Sequence, residues 1–547
     1  MKRVGTIELV LLAAILAGGW LLRFWHLNTV SIWWDELVQI RTAESNALAD
    51  VVSQVKWGIP RGAGNAGAVP LDYVLLHLFM KVVPRPSPEF LELYFRFPAF
   101  LYSCAALLLL WLYCRRFLNR SIAILATLLL ALSIPHVLYA AEARFYSLFA
   151  LGTVANLYAF SALVVRPASL RAWVAFGIVN LLYFLSGLFS LMVFFWQYVI
   201  LGVLLLARGG QRGLRFALLT ATAAATGVVM GTFFFGTKLR DEYLRPGSEH
   251  LEPWRLTQDT LVFFSVGNPW LYWTFLIGLP LTIVWAYRRG LAPVGLFLVA
   301  SFATIPLIVV LAKWKKYYYH PRHALFLLPN YEIVAAIGLY VVLRAVDPGR
   351  LFSSDRRVRN LVNVLGGAAL VLGTQLPVVR AYLATPQLFF MRIKTLWDFK
   401  SFSRDLRQRV ASYPAGERYL LIAENVYPAY LPNSCASAYL KWYGLDDRVT
   451  FRATQDASAT LDRLQQACHG ACGQRGPFFE HVVQLIPAVT RRPEFMKLLG
   501  LQKPIGTWPS TIGGYGLLVY SPQRIDERLG RLKRTNYDGF IALEPPS

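Results

Sequence analysis

The feature that most constrains this chain is a series of apolar runs, most of them as long as a helix that crosses a bilayer. They fall near residues 4–27, 94–114, 121–140, 146–165, 172–187, 189–207, 215–236, 269–287, 291–312, 323–344 and 360–384. About twenty apolar residues in a helix span the hydrocarbon core, and a helix satisfies its own backbone polar groups there. The expected fold class is therefore a polytopic α-helical membrane protein with about eleven transmembrane helices. The composition agrees: 56% of the 547 residues are hydrophobic, against roughly 45–50% in ordinary soluble domains. The first run is too long for the apolar part of a secretory signal, and no small-residue cleavage site follows it, so it is expected to stay as a helix.

The net charge of +24 comes from 55 Lys+Arg against 31 Asp+Glu. These basic residues are scattered between apolar runs and form no patch, so no nucleic-acid partner is expected. The positive-inside rule accounts for them better. Arg115, Arg116 and Arg120 share one connection, and Arg166 and Arg171 another. Arg208, Arg212 and Arg215 follow, then Arg288 and Arg289, then a group from Arg344 to Arg359. With eleven spans and a cytoplasmic N-terminus, all five connections are cytoplasmic, and the C-terminal region is extracytoplasmic. The apolar stretch 71–83 is short for a span, and counting it as one would invert every later loop. It is expected to lie along the membrane surface.

Three stretches then share the outer side. The first is Ser31-Ile32-Trp33-Trp34-Asp35-Glu36-Leu37, directly after the first run. Ionisable groups at a membrane edge are costly and point to function, although the two indoles also suit an interfacial belt. The second is Tyr139 to Tyr146, with Glu142 and Arg144 entering a span. The third is Lys313 to His323, where Lys315, Lys316, Tyr319, His320 and Arg322 form a basic aromatic cluster that breaks the charge rule. Phosphate bound through charge-assisted hydrogen bonds is a local reason for such a cluster; contact with anionic lipid headgroups is the plainer one.

From about 385 the chain turns polar. Strand-like runs at 419–423, 482–486 and 516–520 alternate with helical patterns at 397–411, 457–468 and 493–499, which suggests a small α/β domain. The expected domains are thus a transmembrane part, 1–384, with its first outer loop at 28–92, and an extracytoplasmic α/β domain, 385–547. The basic tail after 521 reads as a solvated surface. Cys435, Cys468 and Cys472 allow one disulfide of open pairing; Cys468, His469 and Cys472 make an incomplete zinc set. There is no P-loop, glycine-rich dinucleotide turn or nucleophile elbow.

Carboxylates, cations and aromatics on one side suit transfer of a sugar from a lipid phosphate: a carboxylate takes the acceptor's proton and cations hold the departing phosphate. At this point the sequence resembles the GT-C glycosyltransferases, in the branch of protein O-mannosyltransferases, lipid A aminoarabinose transferases and bacterial family-39/83-like enzymes. The acidic pair of that family's first outer loop is matched by Asp35-Glu36. Its Pro-Pro-Leu-Tyr-Tyr segment reads Val69-Pro70-Leu71-Asp72-Tyr73 here, with one proline missing, and an Arg-Leu-Pro is matched by Arg96-Phe97-Pro98. The second outer motif is matched by Tyr139, Glu142, Arg144 and Tyr146; the late Arg-Tyr becomes Arg322-His323, the tyrosine replaced, and the Leu-Pro is Leu328-Pro329. Where many members carry a histidine, this chain has Ser186-Gly187-Leu188.

The resemblance implies an inverting transfer from a polyprenyl-phosphate-linked sugar donor to a lipid, glycan or protein acceptor, in the plasma (bacterial inner) membrane, without a covalent enzyme intermediate. It makes Asp35 the base and has Glu36 orient it, bind acceptor or ligate a divalent metal, the cofactor question staying open. Lys315, Lys316, Arg322 and Arg144 would hold donor phosphate. Trp33, Trp34, Glu142, Tyr146, Tyr319 and His320 would line the substrate cavity. Two other classes compete: a transporter or flippase of lipid-linked saccharides, and a non-catalytic membrane scaffold.

Overall fold

The structure is a computed structural model that describes residues 6–57, 69–207, 218–228, 252–314, 319–351, 354–384, 399–412, 419–424, 431–447, 449–454, 481–487, 533–537 and 540–544. Among these, seven helical stretches are long and apolar enough to cross a membrane: Thr6–Phe24, Pro88–Leu118, Tyr146–Val165, Pro269–Arg288, Ala292–Lys313, Pro321–Leu351 and Val358–Ala384. An eighth is broken, with Arg120–Leu132 and Ile134–Ala140 meeting at 59°. Shorter apolar helices at Leu170–Ser186, Ser190–Leu206 and Leu218–Val228 occupy the remaining expected positions. The chain is a multi-pass membrane protein. Helix Leu71–Val82 has 12 residues, about 18 Å at 1.5 Å per residue, too short to cross ~30 Å.

By internal contacts the chain forms two compact units that do not follow chain order. One holds Met1–Leu27, Thr42–Val83 and Phe95–Thr385; the other holds Asn28–Arg41, Pro84–Tyr94 and Pro386–Ser547.

The first unit is the helical one, and polar side chains explain its exceptions to plain apolar packing. The break after Leu132 falls where Pro135 follows closely and where the last carbonyls of Arg120–Leu132 lose their helical donors. Arg23, fully buried, supplies the missing donors: its guanidinium bonds Leu130 O at 2.8 Å and Ala131 O at 2.9 Å. The same group reaches Ser103 Oγ at 2.7 Å and His136 Nδ1 at 2.7 Å. A cation beside a helix C-terminus is favourable for the dipole as well. Three other helices are joined by amides: Asn156 donates to Asn180 Oδ1 at 2.6 Å, and Gln197 donates to Asn156 Oδ1 at 2.6 Å. Helices Pro269–Arg288 and Leu328–Val346 cross at Gly278 and Gly338, where a Cβ on Gly338 would stand 2.9 Å from the Gly278 Cα. Small residues permit such close backbone approach between membrane helices.

The second unit contains a five-stranded sheet of order β2-β1-β3-β5-β4. The strands are β1 Tyr419–Glu424, β2 Val449–Thr454, β3 His481–Pro487, β4 Lys533–Tyr537 and β5 Phe540–Glu544. Strands β2, β1 and β3 are parallel; β5 joins β3 antiparallel, and β4 pairs with β5 through Tyr537↔Phe540. Helices Phe399–Ser412 and Leu431–Trp442 belong to the same unit. The α/β character of this region matches the expectation. Two segments of the tail after 521 form β4 and β5 of this sheet. The patterns at 457–468, 493–499 and 516–520, and Cys468 and Cys472, lie outside the described residues.

Candidate active site

In the helical unit, the turn between Ile134–Ala140 and Tyr146–Val165 presents Glu142 and Arg144. Arg144 N donates to Glu142 O at 2.7 Å, and Ser147 Oγ donates to Tyr139 O at 2.9 Å, so the turn is closed by its own backbone. Glu142 is fully buried, and Arg144 and Tyr146 nearly so. The Arg144 guanidinium lies over the Phe145 ring, 5.5 Å from its centroid, an arrangement worth about 0.5–2 kcal/mol. Tyr146 is packed between Phe145, stacked at 4.5 Å, and Tyr139, edge-on at 4.7 Å.

The stretch from Tyr319 onward starts a short 3-10 helix, Pro321–Leu327, with a reciprocal cap. His320 Nδ1 accepts from Arg322 N at 3.1 Å, and His323 Nδ1 accepts from His320 N at 3.2 Å. Proline at the first position fits a helix start, since its missing N–H is not needed there. Tyr319 is buried and its hydroxyl is hydrogen-bonded to Thr260 Oγ1 at 2.7 Å. Burial pushes its phenol above the ordinary range, opposed by the Thr260 hydrogen bond, so it stays protonated.

One contact joins these stretches directly. Phe149, in the first turn of Tyr146–Val165, stacks on Phe326 at 4.3 Å. His323 follows Arg322 on the same short helix. Its ring is 6.0 Å from that of Tyr319 and 6.0 Å from that of Phe189. Arg144, Tyr146, Tyr319, His320 and Arg322 thus belong to one cluster of cations and aromatics, with Glu142 at its edge. Lys313 is exposed; Lys315 and Lys316 lie outside the described residues.

Asp35 and Glu36 belong to the second unit, in the first turn of helix Trp34–Ala43. Their environments differ. Glu36 is fully buried, and its Oε2 accepts from Trp33 N at 3.3 Å, closing the start of its own helix. That is the carboxylate half of a capping box. Asp35 and Trp33 are only half-buried. The side chain of Trp34 lies outside the described set. Among the described residues, no group of three or more His, Cys, Asp and Glu is placed to hold a metal ion.

Residues of the same unit that the sequence did not single out hold this helix start. Glu92 accepts from Tyr439 Oη at 2.6 Å and pairs with Lys400 Nζ at 2.9 Å. Cys435, on the helix that carries Tyr439, lies within the fields of Arg41, Glu36 and Asp35, and burial pushes its thiol up to about 12. Glu92 left one signal, a carboxylate opening an apolar helix. Lys400 and Tyr439 left none.

No family model matches the sequence, and neither does any curated protein. Among solved structures, the chain is similar to ArnT from Cupriavidus metallidurans bound to undecaprenyl phosphate. The TM-score is 0.50 at 11% identity, over 99% of this chain and 98% of that one. It is also similar to the apo form of that protein, with a TM-score of 0.49 at 13% identity over 98% and 97%. The oligosaccharyltransferase of Archaeoglobus fulgidus gives 0.49 at 12% identity, over 87% of this chain and 69% of that one. At such identity the likeness is one of fold: the chain has a GT-C fold, as the resemblance in its membrane part implied.

Proposed function

We propose that this chain is an inverting membrane glycosyltransferase that moves a sugar from a polyprenyl-phosphate donor to an acceptor at the outer face of the membrane, with Asp35 as general base. The observation that carries this reading is the unequal pair in the acidic loop. Glu36 is turned back onto Trp33 N and buried, whereas Asp35, its neighbour, is half-buried. Glu36 closes the start of its own helix, and Asp35, the more exposed of the two, is the one assigned to the acceptor. The fold supports the donor class, since one structure of similar fold is ArnT bound to undecaprenyl phosphate.

In this reaction the acceptor hydroxyl or amine gives its proton to Asp35 as its lone pair attacks the anomeric carbon. The carbon–oxygen bond to phosphate breaks, and the electron pair leaves with the lipid phosphate. The charge that develops there is stabilised by fixed cations, for which Arg144 and Arg322 are assigned together with Lys315 and Lys316. Burial of Arg144 strengthens its share, because charges act more strongly where water is excluded. Trp33, Tyr146 and Tyr319 offer faces for sugar and lipid CH groups.

The test uses purified full-length protein, a panel of polyprenyl-phosphate sugars, and Asp35→Asn, which keeps the volume and loses the base. Retained donor binding with turnover reduced about 100-fold or more is expected. Wild-type turnover in Asp35→Asn would remove the base assignment, and substrate uptake without transfer would favour a transporter.

A further inference from the structure

We infer that Tyr439 and Lys400, from the C-terminal part of the chain, are positioning residues that set Asp35 in place by clamping residues 28–32 through Glu92. The inference rests on the reading of Asp35 as the base.

The segment before helix Trp34–Ala43 has no secondary structure to hold it, so its backbone groups need other partners. Ile32 is buried, and its N–H donates to Tyr439 Oη at 2.7 Å across 407 residues of sequence. The same hydroxyl gives its own proton to Glu92 Oε1 at 2.6 Å. Lys400 Nζ binds the other Glu92 oxygen at 2.9 Å, Asn28 O at 2.8 Å and Asn28 Oδ1 at 3.0 Å. Lys400 N, in the unsatisfied first turn of its own helix, donates to Ser31 Oγ at 3.1 Å. Residues 28, 31 and 32 are therefore each fixed by one of two C-terminal residues, and Glu92, 1% exposed, joins those two. Asn28 is tied back as well, donating to Glu89 O at 2.9 Å.

Asp35 follows Ile32 by three residues, at most about 10 Å of chain. It sits on a helix whose entry angle the clamp fixes. A general base must be held within a fraction of an ångström of its proton, and a misplacement of about 1 Å costs up to ~100-fold in rate. The clamp uses charge-assisted bonds, the shorter and stronger kind. A buried carboxylate that loses its cation is strongly destabilising, which allows stability and positioning to be separated by mutation.

Four variants of the full-length protein test this: Tyr439→Phe, Lys400→Met, Glu92→Gln and the double variant K400M/E92Q. Tyr439→Phe should raise amide exchange in residues 28–37 at least tenfold while the sheet strands are unchanged. It should also lower kcat about 10–100-fold, with KM for the donor changed less than twofold. Lys400→Met strands the Glu92 charge and should lower the melting temperature. K400M/E92Q removes that charge, so the melting temperature should recover while kcat stays low. Unchanged exchange of residues 28–37 in both Tyr439→Phe and Lys400→Met overturns the clamp, and so does a kcat that recovers together with stability in the double variant. A wild type that transfers no sugar from any donor overturns the glycosyltransferase reading instead, and the exchange result then decides the clamp alone.

Discussion

A methyl group at Gly187 would meet three carbons of the Phe149 ring at 2.5, 2.5 and 2.6 Å. Carbon atoms in good contact stand about 3.5–4.0 Å apart, so the ring has to retreat by about 1 Å. It has little room. Phe149 is buried, stacked on Phe326 at 4.3 Å and packed against Tyr183 at 5.1 Å. The Gly187 backbone is extended, with φ of −174°, so the requirement for glycine is one of space and not of torsion. Overpacking of this kind costs typically about 1–3 kcal/mol, and Gly187→Ala should lower the unfolding free energy by that amount. Phe326 lies on the same short helix as Arg322, so on the proposed role of Arg322 donor binding should weaken as well. The decisive assay is a double-variant cycle with Phe149→Leu, which removes the obstructing ring. If the clash is the cause, G187A/F149L should be more stable than the sum of the single losses by about 1 kcal/mol or more. Additive losses, or wild-type stability in Gly187→Ala, would refute the packing argument.

Two further outcomes follow from buried groups. Arg23→Met removes the guanidinium donors of Ala131 O and of Leu130 O, the latter keeping a longer bond from Ser133 N at 3.4 Å. An unsatisfied buried acceptor costs about 1–3 kcal/mol in soluble proteins, and hydrogen bonds inside membranes average nearer ~0.6 kcal/mol. A total loss of about 1–4 kcal/mol in detergent unfolding is expected, with Arg23→Lys in between because an ammonium lacks the planar fork; a change below about 0.5 kcal/mol would mean that the carbonyls find other donors. Cys435 should resist alkylation at pH 9 in the folded protein and react after unfolding. Its thiol is pushed from 9.0 to about 12, so between those values the unfolded chain releases the proton and the folded chain keeps it. Stability should therefore fall as pH rises through that window, by up to about 1.4 kcal/mol per unit, and Cys435→Ser should remove this slope. Free-thiol labelling rates in the folded state would contradict the burial.

The helical part was legible because a bilayer forces length and polarity together. A segment such as Tyr146–Val165 has few options once it is twenty apolar residues long. What the apolar pattern could not show was the break at 132–134, since both halves are equally apolar. Pro135 and the charge of Arg23 inside the first run were the available signals, and only the fold joins them. In the C-terminal region, Pro432 reads as a loop marker, yet it occupies the first turn of Leu431–Trp442, where proline is tolerated. The hairpin of β4 and β5 had a sequence signal in Asp538-Gly539, two residues between paired strands. The arginine-rich composition just before it masked the alternation.

The site divides along a different line. Residue types at Asp35, Glu142, Arg144 and Arg322 are visible because charges in an apolar chain stand out. The roles of adjacent residues are not, because role depends on phase within a helical turn. Asp35 and Glu36 carry the same charge, and only their positions relative to the helix start distinguish them. Glu36 reaches back to the N–H at the cap position; Asp35 stands one residue earlier and is the more exposed. A capping box is ordinarily recognised by serine or threonine at its first position. Here that position is Trp33, so the pattern hides the box although the carboxylate performs its part. The positioning residues are hidden for a stronger reason. Tyr439 and Ile32 meet across 407 residues, and Lys400 and Asn28 across 372. Neither a tyrosine nor a lysine on an amphipathic helix differs, as sequence, from any surface residue. What makes them specific is that the start of helix Trp34–Ala43 has buried backbone groups that its own segment cannot satisfy. That requirement is set by the fold, and it is why physics and not any motif places the C-terminal residues at the start of this helix.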